Sequence, residues 1–136
     1  MMRAVVDTNV IFEGLTQNSG ANFEIVRAWR YGLFIAFCCD TVSYEYYDVF
    51  YRKLSKARWD TTKPILSDLV KRADWQKINY RWRPISPDPG DDHVIECALN
   101  ANASIVTLNI RDFKRASLQT GLLIFTPAQF LMQLAE

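Results

Sequence analysis

Histidine is nearly missing from this sequence, and His93 is the only one. A histidine-rich metal site is therefore excluded, and a Ser-His-Asp triad has a single residue to draw on. Cysteine is scarce as well. Cys38, Cys39 and Cys97 are odd in number and lack metal-type spacing, so they read as buried free thiols in a reducing compartment. No stretch approaches the roughly 20 apolar residues that a membrane helix needs. The opening Met1-Met2-Arg3-Ala4-Val5-Val6 is too short for a signal peptide and meets an acid at Asp7. These absences predict a soluble, cytoplasmic protein with no membrane partner. An excess of one charge is lacking too, because 16 Lys and Arg against 15 Asp and Glu leave a formal net charge of +1. Any attraction to phosphate has to come from local patches.

What the sequence does have is core material. Hydrophobic residues make up 49% of the 136, with six Tyr, eight Phe and four Trp, which predicts one domain over 1–136 with one sizeable core. Strand and helix signals alternate along it. Ala4-Val5-Val6 is a short apolar run stopped by Asp7 and Asn9, and residues 33–38 are continuously apolar, as buried parallel strands are. Residues 23–31 predict a helix with Phe23, Val26 and Trp29 on one face and Gly32 as its stop. Further helices are expected over 43–54 and over 60–73, the latter from Ile65, Leu66, Leu69 and Val70. Short strands are expected at 75–78, 104–107 and 122–125. Residues 83–90 hold three prolines and a glycine and predict a loop before a helix that opens at Asp91-Asp92. Thr126, Pro127 and Gln129 open the last helix as a capping box with proline in the first turn.

The resulting order, β-α-β-α-α-β-α-β-β-α, belongs to an α/β fold: three layers, α/β/α, around a mainly parallel sheet of about five strands. In such sheets the working residues gather beyond the carboxyl ends of the strands. Asp7, the segment before Asp91, and Asn109 through Asp112 stand at such places. Each acid has an ordinary structural reading. Asp7, Thr8 and Asn9 are all capping residue types, Glu45 suits an exposed helical position, and Asp112 suits a turn. Of Asp91 and Asp92, one is expected to cap the helix and the other to face the cleft. Together they form a pattern of carboxylates that an α/β fold would bring to one place. Clustered carboxylates repel, and hard divalent ions such as Mg²⁺ or Mn²⁺ take oxygen ligands and relieve that repulsion. Such a site can activate water for in-line attack on a phosphodiester.

Four segments carry a resemblance to a known family. They are Ala4-Val5-Val6-Asp7-Thr8-Asn9-Val10, Ser43-Tyr44-Glu45-Tyr46-Tyr47-Asp48-Val49-Phe50-Tyr51-Arg52, Pro87-Asp88-Pro89-Gly90-Asp91-Asp92-His93-Val94-Ile95-Glu96-Cys97-Ala98, and the ending from Ile105-Val106-Thr107-Leu108-Asn109 through Asp112-Phe113 to Thr126-Pro127-Ala128-Gln129-Phe130-Leu131. The chain resembles a PIN domain, and within that family the VapC-like bacterial toxin components of toxin–antitoxin pairs. The resemblance implies a Mg²⁺ or Mn²⁺ site on Asp7, Glu45 and Asp92, with a fourth position after the fourth strand. Many PIN domains have an aspartate where Asn109 stands. Asn109 can ligate through its carbonyl oxygen but brings no charge, and Asp112 is the alternative source of a carboxylate. Asp91 is the reserve for Asp92, and Thr8 would hold Asp7 or a metal-bound water. The implied activity is hydrolysis of single-stranded or loop RNA by a metal-dependent endoribonuclease. The implied partners are an antitoxin that occludes the acidic cleft and, often, a second copy of the chain.

Other residues are weighed against plainer roles. Glu96, four residues after Asp92 on the same helical face, is either at the edge of the metal site or solvated. His93 reads as a first-turn surface residue. Arg111, beside the proposed site, could hold a phosphate, whereas the basic groups at 52–58, at Arg81 and Arg83, and at 114–115 read as solvated surface. The tyrosines around Glu45 are divided between core or dimer contacts and stacking on unpaired bases. The competing function is a PIN-like module with an incomplete acidic set, which binds RNA or a partner protein without cutting it, as Asn109 suggests. Other phosphoryl-transfer folds fit less well. The haloacid-dehalogenase type wants an aspartate where Asn9 stands, receiver domains want an acid pair and a mid-sheet Asp, and no Gly-rich phosphate loop is present.

Overall fold

A computed structural model describes residues 1–81 and 89–136, the side chains of residues 89 and 90 excepted. The chain runs β1 (Arg3–Val6), α1 (Thr8–Thr16), α2 (Ala21–Arg30), β2 (Ile35–Cys38), α3 (Asp40–Lys53), α4 (Lys56–Arg72), β3 (Asp74–Trp75), α5 (Pro89–Ala101), β4 (Ser104–Val106), α6 (Ile110–Thr120), β5 (Ile124–Phe125) and α7 (Pro127–Ala135). The strands form one sheet in the order β3-β2-β1-β4-β5, and every pairing is parallel. In the register, Ala4 stands opposite both Ala36 of β2 and Ser104 of β4.

The strand order explains the burial. β1 lies in the middle, and Ala4, Val5 and Val6 have no exposed surface at all. That is the signature of a parallel strand covered on both faces, and it is why its sequence is an unbroken apolar run. The segments β1-α1-α2-β2 and β2-α3-α4-β3 step one way along the sheet, and β3-α5-β4-α6-β5 steps back the other way. Right-handed crossovers then place the two helical groups on opposite faces. The packing agrees: α1, α2, α3 and α4 touch one another, and α7 joins α2. On the other side α5 lies on β1, β2 and β4 and meets α6. The two groups also meet where α3 approaches α5.

The expected α/β class and mainly parallel sheet are both present. Two helices had not been expected. At α1, Asp7-Thr8-Asn9 is made of capping types, which predict no more than a turn. Its buried face is only Thr8, Val10, Ile11 and Gly14. Gly14 looks like a break in the sequence but is a packing requirement, since a Cβ there would lie 2.5 Å from the Asn22 carbonyl oxygen of α2. α6 buries only Phe113 and Ala116, too thin a stripe to show as a period. The third strand is Asp74–Trp75, paired with Phe37 and Cys38, instead of 75–78.

The helix expected to open at Asp91 begins at Pro89. Neither Asp91 nor Asp92 is therefore its N-cap; both lie inside the first turn, where carboxylates still favour the positive end of the dipole. The rest of the expected loop, with Arg83, Pro84, Pro87 and Asp88, lies outside the described residues. The expected capping box of α7 is formed: the Thr126 hydroxyl accepts the Gln129 N–H at 3.1 Å and Gln129 Oε1 accepts the Thr126 N–H at 3.0 Å. No helix among the described residues is long and apolar enough to cross a membrane.

Candidate active site

The chain leaves β1 towards β2 and leaves β4 towards β5, so the strand order reverses between the two central neighbours. A crevice opens beyond their carboxyl ends. Asp7 stands at that point. Its N–H still completes the ladder to the Val106 carbonyl at 2.9 Å, while its side chain already caps α1, accepting the Thr8 N–H at Oδ1, 2.9 Å. The other carboxylate oxygen accepts a hydrogen bond from the Thr107 hydroxyl at 2.8 Å. Thr107 Oγ1 in turn accepts the Asn109 N–H at 3.0 Å. Asp7 is thus both a cap and a fixed acid: its two oxygens are oriented from β1–α1 on one side and from the end of β4 on the other.

Every buried polar or charged side chain among the described residues lies in three places: Asp7 and Thr8, Thr107, and Asp91, Asp92 and Glu96. All three sites are at the carboxyl end of the sheet. A helix that follows a parallel strand starts at that end, so the first turns of α5 bring Asp91, Asp92 and Glu96 there. α3 follows β2 in the same way and brings Glu45, which is half-buried. His93 Nδ1 on α5 stands 3.8 Å from Glu45 Oε2 on α3, where the two helices meet. Beneath Glu45, the fully buried Tyr46 donates its hydroxyl to the Val6 carbonyl, one residue before Asp7. Burial above all, with the neighbouring Cys38, Cys97 and Asp7, pushes the Tyr46 hydroxyl well above its ordinary range, so it stays a donor.

The remaining expected site residues stand further out. Asn9 is half-buried on α1. Asn109 is exposed at the N-cap position of α6 and makes no side-chain cap bond; Arg111 and Asp112 are exposed in the first turn of that helix. Asp112 donates its N–H to the Asn109 carbonyl at 3.0 Å, as a turn residue does. The structure therefore buries Asp7, Asp91, Asp92 and Glu96 at the carboxyl end of the sheet and leaves Asn109, Arg111 and Asp112 exposed.

The acidic donors are hard oxygens, the chemistry that suits Mg²⁺ or Mn²⁺. Among the described residues no three acidic, cysteine or histidine side chains are close enough to cage an ion by themselves. A cation held here would need waters or substrate oxygens to complete its ligands, as Mg²⁺ commonly does. The cysteines lie below the site as buried free thiols. Cys39, the N-cap of α3, is held down to about 6, chiefly by hydrogen bonding from Cys97 and then from Thr41 and the helix amides, against the opposing effect of burial. Burial pushes Cys38 up to about 12. Sequence reasoning missed Thr107 and Tyr46 as positioning groups. The first reads as a strand residue and the second as core, and only their partners across 100 and 40 residues reveal the role.

Comparison with known proteins gives the same architecture a family. A search of curated proteins found no match. Among solved structures, a chain of VapBC2 from Rickettsia felis, crystallised bound to a DNA fragment from its promoter, superposes with a TM-score of 0.67. It shares 15% identity over 92% of this chain and 98% of that one. A chain of VapBC-1 from nontypeable Haemophilus influenzae gives a TM-score of 0.62 with 18% identity, over 93% and 99%. These likenesses are of fold. The family model described as PIN domain matches residues 3–111, a span from β1 into α6 that includes Asp7, Glu45, Asp92 and Asn109, and the chain belongs to the PIN-domain family.

Proposed function

We propose that the protein is a Mg²⁺- or Mn²⁺-dependent endoribonuclease that hydrolyses RNA phosphodiester bonds, and that it is the toxin component of a toxin–antitoxin pair. The observation that carries this reading is Asp7: a buried carboxylate with both oxygens aimed by Thr8 and Thr107, at the reversal point of a parallel sheet. A carboxylate kept only for helix capping has no need of a second donor from another strand. Family membership supports nuclease chemistry, and the fold shared with chains of two VapBC assemblies supports the toxin–antitoxin setting.

Asp7, Glu45 and Asp92 would hold the cation, with Asp91 as the reserve for Asp92 and Asn109 as a neutral oxygen donor on the rim. Bound there, the cation supplies positive charge to the phosphodiester and a water acidified towards neutral pH. Thr8 and Thr107 keep Asp7 oriented. Tyr46 ties α3, and with it Glu45, to the end of β1. Glu96 lies at the edge of the acidic set. Arg111 would hold a phosphate of the RNA from outside, with Asp112 beside it in the first turn of α6. An antitoxin segment that occludes the cleft, and a second copy of the chain, are the partners that belong to this reading. A cytoplasmic location belongs to it as well.

The test compares purified protein and Asp7→Asn on structured and unstructured RNA with Mn²⁺, Mg²⁺ or EDTA. Loss of an outer-shell partner of a metal site costs about 10- to 100-fold, so loss of Asp7 itself is expected to remove at least about 100-fold of a cation-dependent cleavage. Equal cleavage by both proteins, or none from either on any RNA, overturns the nuclease reading in favour of a PIN-like module that binds without cutting. Uncharged Asn109 would then be the physical reason.

A further inference from the structure

Two grooves meet at the N-terminus of α3. One, of about 560 Å³, runs along the outer face of α3 past Tyr44, Glu45 and Arg52, with His93 opposite. The other, of about 440 Å³, runs along the edge strand and the segment after it, past Trp75, Lys77 and Arg81, with Glu96 in its wall. Asp40 and Thr41 line both. The two are therefore arms of one track, and each arm touches the acidic centre once, at Glu45 and at Glu96.

The walls of this track carry exposed aromatic rings. Tyr44 is 74% exposed and Trp75 is 52% exposed. Trp75 is also held in place, since its indole N–H donates to Asp40 Oδ1 at 3.1 Å. A ring fixed by its edge has lost its rotational freedom before any ligand arrives, which lowers the cost of binding. Lys77 and Arg81 are exposed cations beyond it. At the other end Arg52 is paired with Asp48 at 2.9 Å. Aromatic platforms followed by cations along a groove match the repeat of a single nucleic acid strand, with bases on rings and phosphates on ammonium or guanidinium groups. A duplex keeps its bases stacked internally and cannot use the rings.

Resting on the nuclease reading of the same site, we infer that this track binds single-stranded RNA across the acidic centre. One unpaired base stacks on Trp75 and another on Tyr44, while Lys77 and Arg81 hold the phosphates on the Trp75 side. The net charge of +1 is then no obstacle, because Lys77 and Arg81 lie together on the Trp75 arm of the track. The acids between the two platforms define where a phosphodiester would sit, and the ring-to-ring path sets which stretch of strand is read.

Binding is measured without cleavage, by fluorescence anisotropy of a labelled, unstructured 12-nucleotide RNA on the full chain in EDTA. Trp75→Ala and Tyr44→Ala are each expected to weaken binding about tenfold, with binding to an RNA duplex unchanged. Trp75→Phe keeps a ring without the Asp40 bond and is expected to recover most of the affinity, which separates stacking from folding; thermal melts of all variants accompany the series. Lys77→Gln with Arg81→Gln is expected to make log K less salt-dependent by about 1.4 in slope, two phosphates at about 0.7 each. Unaltered single-strand binding in both alanine variants overturns the track, as does absence of RNA binding by the wild type. Equal loss on duplex and single strand also overturns it. A protein that binds through Trp75 and Tyr44 yet cleaves equally after Asp7→Asn leaves the track standing and sinks the nuclease reading. Asp7-dependent cleavage by fully active Trp75→Ala and Tyr44→Ala proteins does the reverse.

Discussion

The two ends of the parallel sheet treat polar groups in opposite ways. At the carboxyl end the polar side chains are buried and hydrogen-bonded across elements, as in the run from Asn109 N–H through Thr107 to Asp7. At the amino end they lie at or near the surface and are spent on loose backbone. Arg3 Nη2 donates to the Ala101 carbonyl at 2.6 Å and Nε to the Asn102 carbonyl at 3.3 Å, satisfying the last turn of α5. Its guanidinium also lies over the Phe37 ring, 4.5 Å from the centroid. Ser117 donates to the Leu122 carbonyl at 2.7 Å and closes the end of α6 in the same manner. A hollow of about 440 Å³ exists at this end too, lined by Met2, Arg3, Leu99 and Leu122 among others, but no acid lines it. A hollow becomes a candidate site when its polar groups are held by each other and still have lone pairs to offer. Groups that only complete backbone hydrogen bonds have nothing left for a ligand.

That contrast predicts that substitutions at the carboxyl end change activity more than stability, and that the reverse holds at the amino end. After loss of Asp7 itself, the largest effect is expected from Thr107→Val. It removes the donor to Asp7 and strands the Asn109 N–H, at a stability cost of about 1–3 kcal/mol. Cleavage per folded molecule should fall about 10- to 100-fold, the range for an orienting partner of a metal site. Thr107→Ser, which keeps the hydroxyl, should recover most of it. Initial rates paired with urea melts separate the two quantities. A Thr107→Val protein of full specific activity would mean that Asp7 needs no second anchor and would break the comparison at its stronger end.

At the other end, Arg3→Met should lower stability by about 1–2 kcal/mol, since two charge-assisted bonds to carbonyls are lost from a partly solvated site. Specific activity should stay at the wild-type level. Urea unfolding and the same initial-rate assay provide the check. A loss of activity larger than the unfolded fraction explains would show that the two ends are coupled through α5, whose last turn Arg3 holds and whose first turn carries Asp91 and Asp92.

The features legible in the sequence were those whose cause is local. β1 and β2 are apolar because both faces are covered, and the capping box of α7 lies within four residues. The acids of the proposed site were also visible, since strand ends and first helical turns are where an α/β fold puts them. The hidden features depend on distant partners. Asp7-Thr8-Asn9 does open a capped turn, but a nine-residue helix follows because Val10, Ile11 and Gly14 pack against α2 and α3, which no local pattern announces. Thr107 gains its role from Asp7, and Trp75 from Asp40 35 residues earlier. The start of α5 at Pro89 is hidden because a run of prolines predicts a loop, although proline is at home in a first helical turn.

The smallest effect expected is at Gly121, and it isolates the backbone from everything else. Gly121 ends α6 in the left-handed region, with φ of +79°, its N–H bonded to the Ser117 carbonyl at 2.9 Å. A Cβ added there meets no atom within 4 Å, so Gly121→Ala creates no clash and removes no contact. What remains is the left-handed cost for an L-residue, about 1 kcal/mol, partly offset because alanine has less freedom than glycine in the unfolded chain. Gly121→Asn should lose less, since asparagine tolerates this region better. Urea midpoints with unchanged m-values would check both, and cleavage should not move. A loss well above 1 kcal/mol would mean that the amino end carries more than helix termination, because α6 leads from Asn109 at the active end to Gly121 at the other.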